Sequence, residues 1–340
     1  MRVREDEVKL FIKDLYHVCS DDSVKVEMKS RIQGLSFNII MRIVANKRFY
    51  GTEVEDFEEA SKFKDVIRDI FEIGGTTNLG DFIPVLHWID FQGLDKKFKR
   101  LQIKSDNFSQ SLIDERRRKR CDSCLDEGKP KTFIDAMLSL QESEPEYYTD
   151  DIIKGNILTL PLAGTDTSAV TIEWAISLLL NHPGVLKKAR AQIDEYVGHE
   201  RMVEETDLPN LPYIQCIINE TLRLFPAAPL SVPHEPSQDC TIGGFHVSRG
   251  TMLERFEKVE NEGYRFIPFG IGRRQCPGSS LANRVVGLAL ASLIQCFKWE
   301  RIGEDLVDLS EGKGLTMPKS EPLEAMCKAR QRMRDVLKEL

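Results

Sequence analysis

The sequence has no unbroken apolar run of about 18 residues, the length a membrane-crossing helix needs, so no such helix is expected. Its start, Met1-Arg2-Val3-Arg4-Glu5-Asp6-Glu7, lacks the apolar stretch of a secretory leader. Positive charge is in deficit. Lys and Arg number 47 against 54 Asp and Glu, a net charge of −7, which disfavours a general nucleic-acid-binding role. There is no dense cysteine framework either: the 8 cysteines lie scattered at positions 19, 121, 124, 216, 240, 276, 296 and 327. In a chain of this length the scatter reads as reduced thiols in a compartment facing the cytosol. Residues 1–120 contain no repeat and no low-complexity linker.

What is present is an ordinary globular balance, 41% hydrophobic and 30% charged, in 340 residues that can bury one large core or two smaller ones. Ile32, Leu35, Ile39, Ile40, Ile43 and Val44 recur at helical spacing, with Gly51 as a stop. Phe63, Val66, Ile67, Ile70 and Phe71 mark a second helix, which Gly74-Gly75 breaks. A Pro-interrupted apolar stretch follows at 81–90, where His87 beside Trp88 reads as a satisfied histidine. Lys96 to Arg120 is a long charged helix, and its basic end Arg116-Arg117-Arg118-Lys119-Arg120 reads as a solvated face. Cys121 and Cys124 form a Cys-x-x-Cys pair with no second pair at zinc-finger spacing, so metal or redox use is the minor reading.

The longest helix is predicted from about Asp150 to Asn181, capped by Thr149 and ended by His182-Pro183. Its centre reads Ala163-Gly164-Thr165-Asp166-Thr167-Ser168. Small residues at 163 and 164 would let a flat ligand lie against the backbone, and Asp166 with Thr167 offers a carboxylate and a hydroxyl for proton transfer. Taken alone, the stretch reads more readily as Thr and Ser bonding back to their own helix. Pro161 is out of place here, since it removes a helical hydrogen bond at a cost of about 3 kcal/mol. Farther on, Glu220 and Arg223 share a helix face at i,i+3 spacing. Thr241 to Val247 reads as a hairpin turning on Gly243-Gly244. Leu281 to Phe297 is a nearly all-apolar helix, suited to burial.

The most informative stretch is Phe269-Gly270-Ile271-Gly272-Arg273-Arg274-Gln275-Cys276-Pro277-Gly278. Gly272 and Gly278 allow close backbone approach or positive φ. Pro277 pre-sets φ for the helix that follows. That helix start, with Arg273 and Arg274 nearby, suits an anionic sulfur at Cys276. A sulfur ligand beneath a flat, doubly anionic cofactor would be held in this way.

The spacing Phe-x-x-Gly-x-Arg-x-Cys-x-Gly resembles the haem-ligating loop of the cytochrome P450 superfamily, the haem-thiolate monooxygenases. The Ala-Gly-x-Asp-Thr helix and the Glu-x-x-Arg helix precede it in the family's order, and their wording is similar to plant members that hydroxylate isoflavones and other phenylpropanoids. The resemblance implies a mainly α fold with small β-sheets, the cytochrome P450 fold in incomplete form, as a single domain over 1–340. It implies haem b with Cys276 as axial ligand, Phe269 shielding the sulfur, and Gly272 and Gly278 shaping the loop. Arg274 and His234 would contact propionates, although His234 reads equally as a surface-loop histidine. Ala163 and Gly164 would wall the oxygen site, and Asp166 and Thr167 would deliver protons. Glu220, Arg223 and Arg255 would form a buried structural brace.

The implied partners are O2, a small hydrophobic substrate and an NADPH-dependent flavoprotein reductase, with the chain a monomer on the cytosolic face of the endoplasmic reticulum membrane. Relatives carry an anchor and first helices that are not seen here. About two dozen residues are also missing after Leu253, where the chain passes directly to Glu254-Arg255-Phe256. The alternative reading is therefore an inactive remnant that binds haem weakly or not at all.

Overall fold

The computed structural model describes residues 2–19, 22–51, 54, 57–74, 76, 78–79, 85, 90, 92–122, 132–229, 236–251 and 267–340. The first half holds α1 (Arg2–Cys19), β1 (Val24–Glu27), α2 (Lys29–Ala45), α3 (Phe57–Gly74), α4 (Leu94–Asp122) and α5 (Phe133–Ser143). There follow α6 (Asp150–Asn181), α7 (Pro183–Tyr196), α8 (Pro212–Leu224), β2 (Cys240–Ile242) and β3 (Phe245–Val247). The chain closes with α9 (Ser279–Cys296), β4 (Phe297–Glu300), β5 (Glu324–Ala329) and α10 (Arg334–Lys338). The architecture is mainly helical, and the described residues form two small antiparallel sheets, one ordered β1-β5-β4 and the other the β2-β3 hairpin.

The central rod is α6. Thr149 caps it by accepting from the Ile152 N–H at 3.4 Å, and Asp150 and Asp151 put negative charge at the positive end of its dipole. From Ser168 to Ser177 every residue is buried, as a helix packed on all sides must be. Pro161 lies inside α6 without ending it. At His182-Pro183 the chain turns by 111° into α7.

Two apolar clusters meet along this rod. One gathers α1, the later half of α6, α7, α8, α9 and the larger sheet. The other gathers α3, α4, α5 and the first half of α6 around an aromatic nest in which Phe63 stacks on Phe108 at 3.8 Å. α2 contributes to both. It can lie close to α6 because Gly164 has no side chain: a Cβ there would sit 2.8 Å from Ile40 Cδ1. The larger sheet joins the two ends of the chain, with Val24 of β1 opposite Cys327 of β5. Behind it the free thiols of Cys19 and Cys327 approach to 3.3 Å, both buried.

Several sequence expectations are refined. α2 stops at Ala45, where Asn46 takes a left-handed conformation (φ 57), so Gly51 lies beyond the stop and not at it. The hairpin turns where expected, with Gly243 and Gly244 at φ 57 and 87. The basic end of α4 is neutralised: Arg116 meets Asp135, Arg117 meets Asp150 and Arg120 meets Glu142. Most of the 81–90 stretch, including His87, lies outside the described residues, as does Cys124. Among the described residues α9 is long and apolar enough to cross a membrane by length and composition, with 67% of it buried within the fold, and the bent pair α6–α7 passes the same test only if taken as one span.

Buried charge ties α1 to α2. Glu7, 1% exposed, accepts from Arg42 Nη1 at 3.0 Å, and Arg48 Nε lies 3.0 Å from one carboxylate oxygen and 3.2 Å from the other. Removing the carboxylate takes away a buried anion that two guanidinium groups share, so Glu7→Ala is expected to destabilise by about 1–3 kcal/mol in urea titration. Lys62→Ala, in an exposed i,i+4 pair with Glu58, is expected to cost less than about 0.5 kcal/mol.

The hydrogen bonds from Arg117 hold the Asp150 carboxyl at about 2, below its ordinary 3.8. A depressed carboxyl stabilises the fold above its unfolded value and loses that contribution as pH falls towards its folded one. Asp150→Asn is expected to cost about 1 kcal/mol or less at neutral pH, because the pair is partly exposed. In thermal melts the gap to the parent chain should close as pH drops from about 4 to about 2.

Candidate functional site

The apolar face of α9 fixes one side of the site. From Val285 to Cys296 the helix is buried, whereas its first turn rises to the surface. Gly278 is the N-cap, so Pro277 precedes the helix and does not sit in its first turn. The loop before it folds on itself: the Cys276 N–H donates to the Phe269 carbonyl at 2.9 Å, and the Gln275 N–H to that of Gly272 at 3.1 Å. Phe269 is half-buried and packs against the larger core, anchoring the loop.

Gly272 holds φ 77 in otherwise open space, so only its backbone conformation requires glycine. Gly278 has an ordinary φ of −87, and a Cβ there would stand 3.8 Å from Cys276 Sγ. The outcome is a free, exposed thiol at the mouth of a helix. Arg273 and Arg274 are exposed beside it and pair with no carboxylate among the described residues.

The middle of α6 distributes its polar groups differently from the sequence reading. Ala163 is exposed, while Gly164 serves the contact with Ile40. The Thr167 hydroxyl donates to the Ala163 carbonyl at 2.7 Å, the local back-bond of a helical threonine. Asp166 is held from two other elements: Gln33 Nε2 of α2 donates to it at 3.1 Å, and the Thr316 hydroxyl donates to its second oxygen. Neither partner was legible from helix spacing, since they lie 133 and 150 positions away. Thr165 has a buried hydroxyl without a partner among the described residues.

Glu220 and Arg223 form a bidentate pair at 2.7 Å, but their side chains are 54% and 55% exposed, not buried as a brace would be. Arg255 and His234 lie outside the described residues. Behind the pair, Phe225 stacks on Trp174 of α6 at 3.9 Å, which fastens the end of α8 to the rod.

A lone thiol is a poor chelator. Among the described residues no cluster of three or more His, Cys, Asp or Glu side chains is placed to hold a metal ion. A single sulfur therefore suits a metal that brings its own equatorial ligands, and two exposed arginines with no carboxylate partner among the described residues suit a cofactor with anionic edges. The donor set fits a thiolate-ligated haem, and the class is that of haem-thiolate proteins. The cytochrome P450 family model matches residues 1–254 and 252–324, and the chain belongs to the cytochrome P450 family.

The chain is 49% identical over 362 aligned positions to a (+)-piperitol/(+)-sesamin synthase of Sesamum radiatum, covering 100% of this chain and 70% of that protein. It is 51% identical over 361 positions to cytochrome P450 81Q32 of Catharanthus roseus, again 100% and 70%. It is 47% identical over 363 positions to an isoflavone 3'-hydroxylase of Medicago truncatula, 99% and 71%. The family match falls into two pieces meeting at 252–254, and these alignments are longer than the chain itself. Both agree with the gap after Leu253 read from the motifs.

Gly272→Ala would force an L side chain into the left-handed region at about 1–2 kcal/mol. It is expected to lower the haem content of purified protein, measured by pyridine haemochrome, while Gly243→Ala in the distant hairpin leaves it unchanged.

Proposed function

We propose that the 340 residues form one haem-thiolate domain that hydroxylates a small hydrophobic, phenylpropanoid- or isoflavonoid-like substrate. The observation that carries this reading is the exposed thiol of Cys276, presented by a glycine-shaped loop at the start of a buried helix. The relatives, among them a (+)-piperitol/(+)-sesamin synthase and an isoflavone 3'-hydroxylase, point to the substrate class.

Cys276 would hold the iron of haem b, with Phe269 against the loop and Arg274 and His234 towards the propionates. When bound, such a haem supplies O2 activation with electron density pushed from the sulfur. The overall reaction puts one oxygen atom into a C–H bond and releases the other as water, consuming two electrons and two protons. The chain's part is to orient substrate, exclude water and deliver protons. Asp166 carries a carboxylate in a partly buried setting, and the Thr167 hydroxyl lies on the next residue. Ala163, exposed one turn before Asp166, leaves the neighbouring backbone approachable. Electrons would come from NADPH through a flavoprotein reductase of the P450-reductase type. The protein would act as a monomer on the cytosolic face of the endoplasmic reticulum membrane.

The second reading is a remnant without turnover. It draws on the exposed Glu220–Arg223 pair and on the discontinuity at 252–254. One experiment separates the two. The chain is expressed with haem precursor, and the reduced protein is exposed to carbon monoxide. One haem per chain, a red-shifted thiolate band, and loss of that band in Cys276→Ala are expected. A chain with native circular dichroism and no bound haem would establish the remnant instead.

A further inference from the structure

The segment between β4 and β5 runs out along α6 and back. Asn181 at the end of the rod exchanges hydrogen bonds with Val307 at 2.9 and 2.8 Å. The arms then pair, Ser320 N–H to the Ser310 carbonyl at 2.9 Å and Gly312 N–H to the Pro318 carbonyl at 2.7 Å. Gly312 makes this closeness possible, because a Cβ there would lie 2.8 Å from the Lys319 carbonyl oxygen. The return arm is pinned to the rod: the Trp174 indole donates to the Met317 carbonyl at 2.9 Å, and the Leu323 N–H donates to buried Glu173 at 2.8 Å. The tip, Lys313 to Met317, thus reaches two turns up the helix from Trp174 to Asp166. There the Thr316 hydroxyl donates to one carboxylate oxygen and the Gln33 amide to the other. At the same tip Leu315 is 63% exposed.

We infer that Thr316 and Gln33 are positioning residues that aim the Asp166 carboxylate. The inference rests on the proposed role of Asp166 and names what sets its orientation. The geometry gives the reason. An Asp on a helix side can choose between χ1 rotamers and turn its carboxylate broadly about χ2, and two donors on opposite oxygens remove that choice. Both donors arrive from outside α6, so helix formation alone cannot place the group.

The test uses the haem-loaded full chain with reductase, NADPH and unsubstituted isoflavone as probe. Thr316→Val removes the donor and keeps the shape, and Thr316→Ser retains the hydroxyl. Thr316→Val should lower product formed per NADPH about tenfold, with the electrons appearing as hydrogen peroxide and with KM little changed, and Thr316→Ser should restore coupling. A second measurement needs no haem and no turnover. In a urea double-mutant cycle, Thr316→Val and Asp166→Asn should be non-additive by about three- to tenfold in the unfolding constant. An additive cycle, or full coupling in Thr316→Val while Asp166→Asn is impaired, overturns the positioning role and leaves the role of Asp166 standing. Full coupling in Asp166→Asn overturns the role of Asp166 itself.

Discussion

Ile40 of α2 fills the space a side chain at position 164 would take, and the rest of the fold is arranged around that close approach. With α2 this near, its Gln33 reaches Asp166, and the two apolar clusters meet along a single rod. A methyl group at Gly164 would meet the tip of the Ile40 side chain, which would have to turn aside and repack. The glycine that motif reading assigned to a ligand wall also packs against Ile40 of α2.

The second constraint is how α9 is buried. Twelve consecutive residues from Val285 are inaccessible, which fixes the helix axis and brings its opening turn to the surface. The loop before it has little choice. Gly272 takes its left-handed turn, the Phe269 carbonyl receives the Cys276 N–H, and the thiol is left outward with two arginines beside it. The contrast with Cys296 is instructive. That thiol, at the other end of the same helix, is buried and pushed up to about 12 by desolvation, so it is an inert core residue. Helix ends therefore divide the two sulfurs into one available for ligation and one not.

Charge is handled locally where it is exposed and over long distances where it is buried. The basic end of α4 is matched in part by acids on α5 and α6, which pair with Arg116, Arg117 and Arg120. Glu205 is gripped by Arg4 from α1 and by Arg284 from α9, joining three parts of the chain at one carboxylate. Glu220 and Arg223, by contrast, remain a solvent-facing pair, whose strength is that of a surface ion pair.

The sequence by itself determined what depends on a few neighbouring residues. Thr149 and His182-Pro183 bound the long helix, Gly243-Gly244 turn the hairpin, and the glycines around Cys276 shape its loop, because backbone dihedrals answer to local sterics and local hydrogen bonds. It also carried the family, through three motifs whose order survives any folding detail. The tertiary structure alone decided who meets whom. Thr316 and Gln33 hold Asp166, Ile40 claims the space beside Gly164, Glu7 collects Arg42 and Arg48, and Cys19 lies against Cys327. Those pairs span from about 35 to more than 300 positions, and no periodicity in the chain encodes them. They arise only when apolar faces are packed and the buried polar groups must find whatever partner that packing brings within reach.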